Sequence, residues 1–260
     1  MSGHVHTQRQ GAVLRVILRH PAKFNAMSRA MWRELRQVFE SLPSQTAVRC
    51  VLVQGEGGHF CAGGDISEYP DFRFTEDGLR DFHENDVWGA LSAMLQCDIP
   101  IVAQIEGHCM GAGVEMACCC DIRIAAPDAK FGAPIARLGF PMAPREAALV
   151  LREAGAVTAR EMLLEAAVLG ADTLWQRGFL SRVAQPGHCA QEAAAAAGRI
   201  VALAPQAARL NKQTLRALNA PDVTAPVLPY AYAYADSPEH REGISAFLEK
   251  RASHFSTPET

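Results

Sequence analysis

Short apolar runs alternate with segments of helical periodicity through the first half of the chain. The apolar runs predict β-strands at 13–18, 48–53, 101–105 and 122–125. Helical spacing predicts helices from Ser28 to Leu42, from about 75 to 96 and from 114 to 119. The second run, VRCVLV, is apolar at nearly every position, as in a strand that is covered on both faces. Strands that alternate with helices in this way predict an α/β core.

From Ala143 onward the pattern predicts helices alone. They are expected at 143–154, 158–166, 171–177, 187–203, 205–218 and 237–253. The alanine run Ala193–Ala197 has a high helix propensity and belongs to one of them. No obvious linker separates this part from the rest, and the sequence contains no internal repeat. The sequence therefore predicts an α/β core that continues into a helical C-terminal region.

Composition and charge narrow the possible partners. The chain has 260 residues, of which 49% are hydrophobic, and its formal net charge is −3 without a run of basic residues. Nucleic acid is therefore not expected as the main partner. No apolar run reaches the roughly 18 residues that a membrane span needs, and Met1 to Gln10 lack the apolar stretch of a secretory signal. We expect a cytoplasmic protein that binds neither nucleic acid nor membrane.

The eight cysteines do not have the spacing of a metal site. Cys118, Cys119 and Cys120 are consecutive, and neighbours on a helix point about 100° apart. No C-x-x-C pair accompanies them. Since the chain also has no export signal, we expect reduced thiols packed as small apolar side chains, and no bound metal.

Two segments follow one plan, in which a buried strand leads through a glycine-rich turn into a helix. They cover 51–66 and 101–115. Glycine lets the backbone approach a ligand, and the free N–H groups of a first helical turn can stabilise an anion. Two such groups on one oxygen would form an oxyanion hole, although the glycines of each loop alone could serve a tight turn. Neither a dinucleotide or P-loop fingerprint nor a G-x-S-x-G elbow is present.

Five stretches together resemble the crotonase (enoyl-CoA hydratase/isomerase) superfamily. They are HPAKFNAMS at 20–28, FCAGGDI at 60–66, IPIVAQIEGHCMGAGVEMACCCDIRIA at 99–125, AKFGAPIARLGF at 129–140 and REGISAFLEKR at 241–251. The resemblance implies a crotonase-like spiral of ββα units with a helical C-terminal region. The core would span 1–195 and carry the coenzyme A and oxyanion site, and 196–260 would form a helical trimerisation region. It also implies a homotrimer or dimer of trimers, an acyl-CoA substrate and no cofactor beyond the coenzyme A of that substrate.

The resemblance also implies positions for the site. The oxyanion amides would be those of Gly64 and Ala112. The other substrate and coenzyme A contacts would come from Lys23, Ala62, Asp65, Ile66, Ile135 and Lys250. Lys23 and Lys250 would bind coenzyme A phosphates, the second from a neighbouring subunit, unless they are ordinary solvated charges.

Glu115 corresponds to the first of two glutamates that hydratases of this superfamily use. The residues around it support a special role, because it is a lone carboxylate among Val, Met, Ala and Cys at the start of a helix. Burial would raise its pKa, whereas the helix terminus would lower it. The alternative is a structural carboxylate that caps the helix.

The second glutamate of those hydratases is absent, because Ile135 stands at its position. Isoleucine cannot transfer a proton, so a two-glutamate mechanism is not available. Polar residues nearby that could compensate are His59, Glu68, His108, Arg137, Arg145 and Glu146. The sequence thus favours hydration or dehydration with a single glutamate. Decarboxylation, thioester hydrolysis and coenzyme A binding without catalysis remain alternatives.

Overall fold

The computed structural model describes residues 2–218 and 238–255. The strands of its main sheet are β1 His4–Gln10, β2 Val13–Arg19, β3 Cys50–Gly55, β4 Ile101–Ile105, β6 Ile122–Ala125 and β9 Arg182–Val183. They lie in the order β1-β2-β3-β4-β6-β9 and are parallel except for the antiparallel pair β1–β2. A smaller sheet consists of β5 His108–Met110, β7 Lys130–Gly132 and β8 Val168–Gly170, in the order β5-β7-β8.

The helices flank and follow the sheets. Their bounds are α1 Arg29–Ser41, α2 Glu76–Asp81, α3 Trp88–Gln96, α4 Ala112–Cys118, α5 Pro144–Ala154, α6 Ala156–Leu164, α7 Ala171–Gln176, α8 Cys189–Val201, α9 Pro205–Leu218 and α10 Pro238–Leu248. Ser28 caps α1 as the sequence predicts, because its hydroxyl accepts from the backbone N–H of Met31 at 3.2 Å.

Both faces of the main sheet are covered. In β3, Val51 and Val53 join the larger hydrophobic core, whereas Cys50 and Leu52 join a second core that is completed by α8. This confirms the interpretation of the apolar run 48–53 and explains why its residues do not alternate with polar ones.

The predicted core boundary at 195/196 lies inside α8. This helix is continuous from Cys189 to Val201, and Ala193, Ala196 and Ala197 pack against the sheet. The core therefore extends through α8, and the separate helical region can begin only after it. Part of that region, 219–237, lies outside the described residues.

Several short strands were not predicted. β1 is polar and almost wholly exposed, so it lacks the alternation that marks a half-buried strand. β5, β7, β8 and β9 have only two or three residues each, too few for any period to show. β5 lies in the second of the two glycine-rich segments, 101–115, between its strand and its helix, where the sequence predicted only a turn.

The helix predicted over 75–96 is divided. A π-helical turn, Phe82–Val87, separates α2 from α3. The helices predicted at 158–166 and 187–203 differ from α6 and α8 by two residues at each end. The prediction for 237–253 corresponds to α10, with residue 237 outside the described part.

The thiols agree with the sequence interpretation. All eight cysteines are buried and unpaired with one another. Burial raises the pKa of each thiol; for Cys61 it reaches about 12. Among the helices that the structure describes, none is both long and apolar enough to cross a bilayer.

Candidate active site

The two glycine-rich loops lie side by side. Cys61 of the first loop donates its backbone N–H to the carbonyl oxygen of His108 at 2.8 Å, and its own carbonyl accepts from Met110 N at 2.8 Å. Gly113 makes this approach possible, because a Cβ there would stand 2.7 Å from the Cys61 carbonyl oxygen. The turn before α4 requires Gly111, whose φ is 46°.

The predicted oxyanion amides remain available. Gly64 and Ala112 both line one cavity of about 330 Å³. Neither backbone N–H donates to an acceptor among residues 2–218 and 238–255. Ala112 is the first residue of α4, where an N–H has no partner within the helix. Two free donors in the wall of one cavity are what an oxyanion hole requires.

The cavity brings together most of the predicted site. Its walls include Ala62, Gly64, Ile66, Ala112, Glu115, Ile135 and Arg137. Ile135 lies on the 3₁₀ turn Pro134–Leu138 and presents an apolar surface where a second acid would be needed. The cavity shares a wall with a wider outer pocket of about 900 Å³.

Lys23 and Asp65 bind each other beside the cavity. Lys23 Nζ lies 2.8 Å from both Asp65 carboxylate oxygens and 2.6 Å from the Ser67 hydroxyl. Burial of Asp65 opposes its ionisation, but hydrogen bonds from Lys23 and Ser67 outweigh this and lower its pKa. Asp65 also caps the 3₁₀ turn Ile66–Asp71. The two residues therefore fix the loop that carries Gly64.

Lys250 does not line the cavity. It is exposed, follows the end of α10 and has a φ of 53°. Its predicted contact with a coenzyme A phosphate stays a prediction.

Glu115 stands alone in the cavity wall. It projects from the first turn of α4, and its carboxyl has no hydrogen-bond partner in the part of the chain that the structure describes. Burial, and secondly the charge of Glu146, raise the pKa of Glu115 to about 8. A carboxyl of this pKa exchanges protons near neutral pH, as an acid–base group must.

Glu146 approaches the cavity through a histidine. Its carboxylate is buried on α5, and its Oε1 lies 3.2 Å from His83 Nδ1. His83 belongs to the π-helical turn and lines the cavity. The sequence interpretation missed His83, because the predicted helix 75–96 gave no sign of a π turn. A π turn inside a helix often marks a functional position.

The other residues that could replace the missing acid have different environments. His108 stacks on His59 with ring centroids 4.7 Å apart, and neither histidine lines the cavity. Glu68 accepts the backbone N–H of Arg29 at 2.8 Å, and Arg145 pairs with Glu84 at 3.0 Å. Of the six residues, Arg137 lines the cavity, and Glu146 reaches it through His83.

Within 2–218 and 238–255, no three His, Cys, Asp or Glu side chains converge as ligands.

Comparison with known proteins extends over almost the whole chain. The sequence model of the family "Enoyl-CoA hydratase/isomerase" matches residues 8–258. A crotonyl-CoA hydratase of Syntrophomonas wolfei is 30% identical over 244 residues, which is 92% of each chain. A 2,3-dehydroadipyl-CoA hydratase of Escherichia coli is 29% identical over 252 residues, with 95% of this chain and 96% of that protein covered.

Solved structures give the same result for the fold. The crystal structure of an enoyl-CoA hydratase/carnithine racemase from Magnetospirillum magneticum superposes with a TM-score of 0.94 at 34% identity, over 98% of this chain and 96% of that one. The likeness confirms the predicted crotonase-like fold with its helical C-terminal region. The chain has two adjacent glycine loops with a cavity between them, and it matches the family model over residues 8–258. It therefore belongs to the enoyl-CoA hydratase/isomerase family.

Proposed function

We propose that the protein is an enoyl-CoA hydratase-type lyase that adds water to, or removes it from, a double bond conjugated to a thioester. The observation that carries this is the position of Glu115 in the same cavity wall as the N–H groups of Gly64 and Ala112, which have no acceptor in the described part of the chain. The names of the hydratases among its relatives support the same reaction.

The chemistry needs the addition of water to the β carbon and the transfer of one proton to the α carbon. The thioester oxygen accepts hydrogen bonds from the amides of Gly64 and Ala112, which stabilise the enolate as it forms. The Glu115 carboxylate takes a proton from water while the water oxygen bonds to the β carbon and the double-bond electrons move toward the thioester oxygen. Glu115 then delivers that proton to the α carbon. Neither a metal nor a redox cofactor takes part in these steps.

His83 is our candidate for a second proton-transferring group. It faces the cavity, and Glu146 holds its Nδ1 from behind, so that Nε2 is left for water or substrate. A histidine fixed by a buried carboxylate can transfer a proton, which Ile135 cannot do. His83→Gln should lower kcat with little change in the affinity for a saturated acyl-CoA.

Hydration of crotonyl-CoA tests the proposal through the loss of ultraviolet absorbance of the conjugated thioester. Wild-type protein should turn over, and Glu115→Gln should lower kcat by roughly 10²–10⁴-fold while still binding the substrate. Malonyl-CoA and methylmalonyl-CoA belong in the same panel. Release of CO₂ or of free coenzyme A without hydration would instead indicate a decarboxylase or a thioester hydrolase. Binding without any turnover would indicate a non-catalytic protein.

We further propose that the chain forms a homotrimer or a dimer of trimers. Apolar side chains that are more than half exposed occur both on α6 and α7 of the core and beyond α8, at Val157, Leu164, Trp175, Leu203, Leu215 and Ile244. Such surfaces are typical of contacts between subunits. Light scattering of the purified protein should give three or six times the chain mass of 28.1 kDa, and a monomer would contradict the proposal.

A further inference from the structure

The walls of the cavity carry more positive than negative charge at neutral pH. The ionisable side chains that line it include Arg73, His83, Glu115 and Arg137. Glu115 is mostly protonated below about pH 8, so it offsets little of the charge of the two guanidinium groups. A cavity with this balance favours an anionic ligand.

Among the described residues, Arg73 has no acidic partner: no carboxylate lies at salt-bridge distance from it, and no acceptor takes a hydrogen bond from its side chain. Arg29, in contrast, is paired with both Asp81 and Asp86. Burial lowers the pKa of Arg73, and no nearby carboxylate offsets that effect. An arginine held in a cavity without a counter-ion carries a desolvation cost that an anionic ligand would relieve.

Two aromatic rings hold the Arg73 guanidinium in place. Its central carbon lies 3.8 Å from the ring centroid of Phe140 and 4.5 Å from that of Tyr69. Stacking occupies the faces of a guanidinium, but its N–H donors point outward in the plane. Those donors can form two parallel hydrogen bonds to a carboxylate.

The position of Arg73 relative to the amides indicates which part of the substrate it would meet. A Cβ on Gly64 would stand 2.3 Å from the Tyr69 hydroxyl, so the hydroxyl end of Tyr69 lies against Gly64 while its ring lies beside Arg73. Arg73 also lines the outer pocket, whereas Gly64, Ala112 and Glu115 line only the inner cavity. Arg73 is therefore displaced from the thioester site toward the outer pocket.

We propose that the acyl group of the substrate ends in a carboxylate, remote from the thioester, and that Arg73 binds this carboxylate. Arg137 adds positive charge at the exposed rim, where it donates to the Ala166 carbonyl at 3.1 Å and has no carboxylate partner among the described residues. The inference rests on the proposed function only in assuming that an acyl-CoA occupies the cavity; it does not depend on which reaction follows.

Binding of two saturated acyl-CoAs, neither of which can be hydrated, tests this proposal. Adipyl-CoA and hexanoyl-CoA have chains of equal length and differ in the terminal carboxylate. By titration calorimetry, the wild-type protein should bind adipyl-CoA about tenfold more tightly or better, as expected for hydrogen bonds to a charged group. Equal affinity for the two ligands would overturn the proposal without any variant.

Substitution of Arg73 assigns the preference to this residue. Arg73→Gln should remove it by weakening adipyl-CoA about tenfold or more while changing hexanoyl-CoA by less than about twofold. Arg73→Lys, which keeps the charge but not the planar fork, should retain part of it. Arg36→Gln, which removes an exposed arginine paired with Glu40, is the matched control and should leave the preference unchanged.

Titration with free coenzyme A identifies the part of the ligand that Arg73 contacts. If Arg73→Gln weakened adipyl-CoA, hexanoyl-CoA and coenzyme A equally, Arg73 would bind the coenzyme A portion, and the proposal would be wrong. Failure of the proposed hydration can be told apart from failure of this inference. If the protein discriminated adipyl-CoA through Arg73 but hydrated no enoyl-CoA, the carboxylate site would stand and the proposed reaction would be wrong.

Discussion

Glu115 is a half-buried carboxyl group in the cavity wall, and it has no hydrogen-bond partner within the described residues. Its pKa of about 8 results from burial first and from the nearby Glu146 second. If the ionised form takes the proton from water, activity must increase as this carboxyl loses its own proton.

The pH profile of kcat/KM should therefore rise through about pH 8 and level off above it. Glu146→Gln removes one of the two causes of the raised pKa, so the rising limb should move to lower pH. Glu84→Gln is the matched control, because it removes an exposed carboxyl of the same π turn that pairs with Arg145 and does not contribute to the raised pKa of Glu115. An unchanged limb in Glu146→Gln would contradict the electrostatic coupling of the two glutamates.

The same carboxyl should make stability depend on pH. The pKa of Glu115 in the folded protein, about 8, lies above its value in the unfolded chain. Between these two pKa values the folded state still holds the proton that the unfolded state has lost. The free energy of unfolding therefore falls as pH rises through this range, by about 1.4 kcal/mol per pH unit at most. Glu115→Gln removes the titrating group. Its Tm relative to wild type should therefore increase from pH 5 to pH 9, as measured by thermal unfolding. A constant difference would show that Glu115 does not titrate with a raised pKa.

Of the residues in the candidate site, the sequence singled out those in the glycine loops but missed His83, for a physical reason. Gly64, Ala112 and Glu115 lie in contiguous motifs whose local geometry places them in one wall, and the cavity brings all three together. The contact between His83 and Glu146 joins segments 63 residues apart, and its geometry depends on the π turn. No local pattern encodes such a contact.

Among the elements, α4 packs closely against the backbone of the first glycine-rich loop. Gly113 lies in the first turn of α4, where a methyl group would meet the backbone of Cys61 at 2.7 Å. Backbone atoms cannot yield as the end of a side chain can. The distance between the two glycine loops, and with it the distance between the two amides, therefore depends on this glycine.

Gly113→Ala should force the loops apart, lower stability by roughly 1–3 kcal/mol and reduce hydration more than it reduces binding of acyl-CoA. Gly198→Ala offers a matched control within α8, because nothing lies within 4 Å of the position of its new Cβ. There the higher helix propensity of alanine should stabilise the protein by about 0.5–1 kcal/mol. Chemical denaturation of both variants measures the two effects, and a Gly113→Ala protein as stable as Gly198→Ala would contradict the argument.

The elements that the sequence predicted well are those in which burial imposes a period. α1 follows its apolar face of Met31, Leu35 and Phe39, and β3 and β4 are apolar on both sides. β1 was missed because only Val5 among its side chains is partly buried and the others are exposed, so no buried face imposes a period of two on the sequence.

In the whole molecule, two hydrophobic cores on opposite sides of one sheet take up all eight cysteines. Cys61, Cys109 and Cys118 to Cys120 lie in the core next to the cavity, and Cys50 and Cys189 lie in the core beneath α8. Cys97, at 8% exposure, is the least buried. Since thiolates are the reactive species, burial and a raised pKa together should make every one of these thiols inert in the folded state.

A thiol reagent such as dithiobis(nitrobenzoic acid) should therefore detect no fast-reacting cysteine in the native protein and eight in denaturant. Between these limits, the reactivity should follow global unfolding, because the two cores share a single sheet and lose their packing together. Denaturant titrations followed by thiol reaction and by circular dichroism should then have the same midpoint.

If one thiol reacted well before the rest, we would expect it to be Cys97, the least buried cysteine, and Cys97→Ser would remove that early phase. Early reaction of Cys50 and Cys189 as a pair would instead show that α8 separates from the sheet before the rest unfolds, and the core would then end before α8.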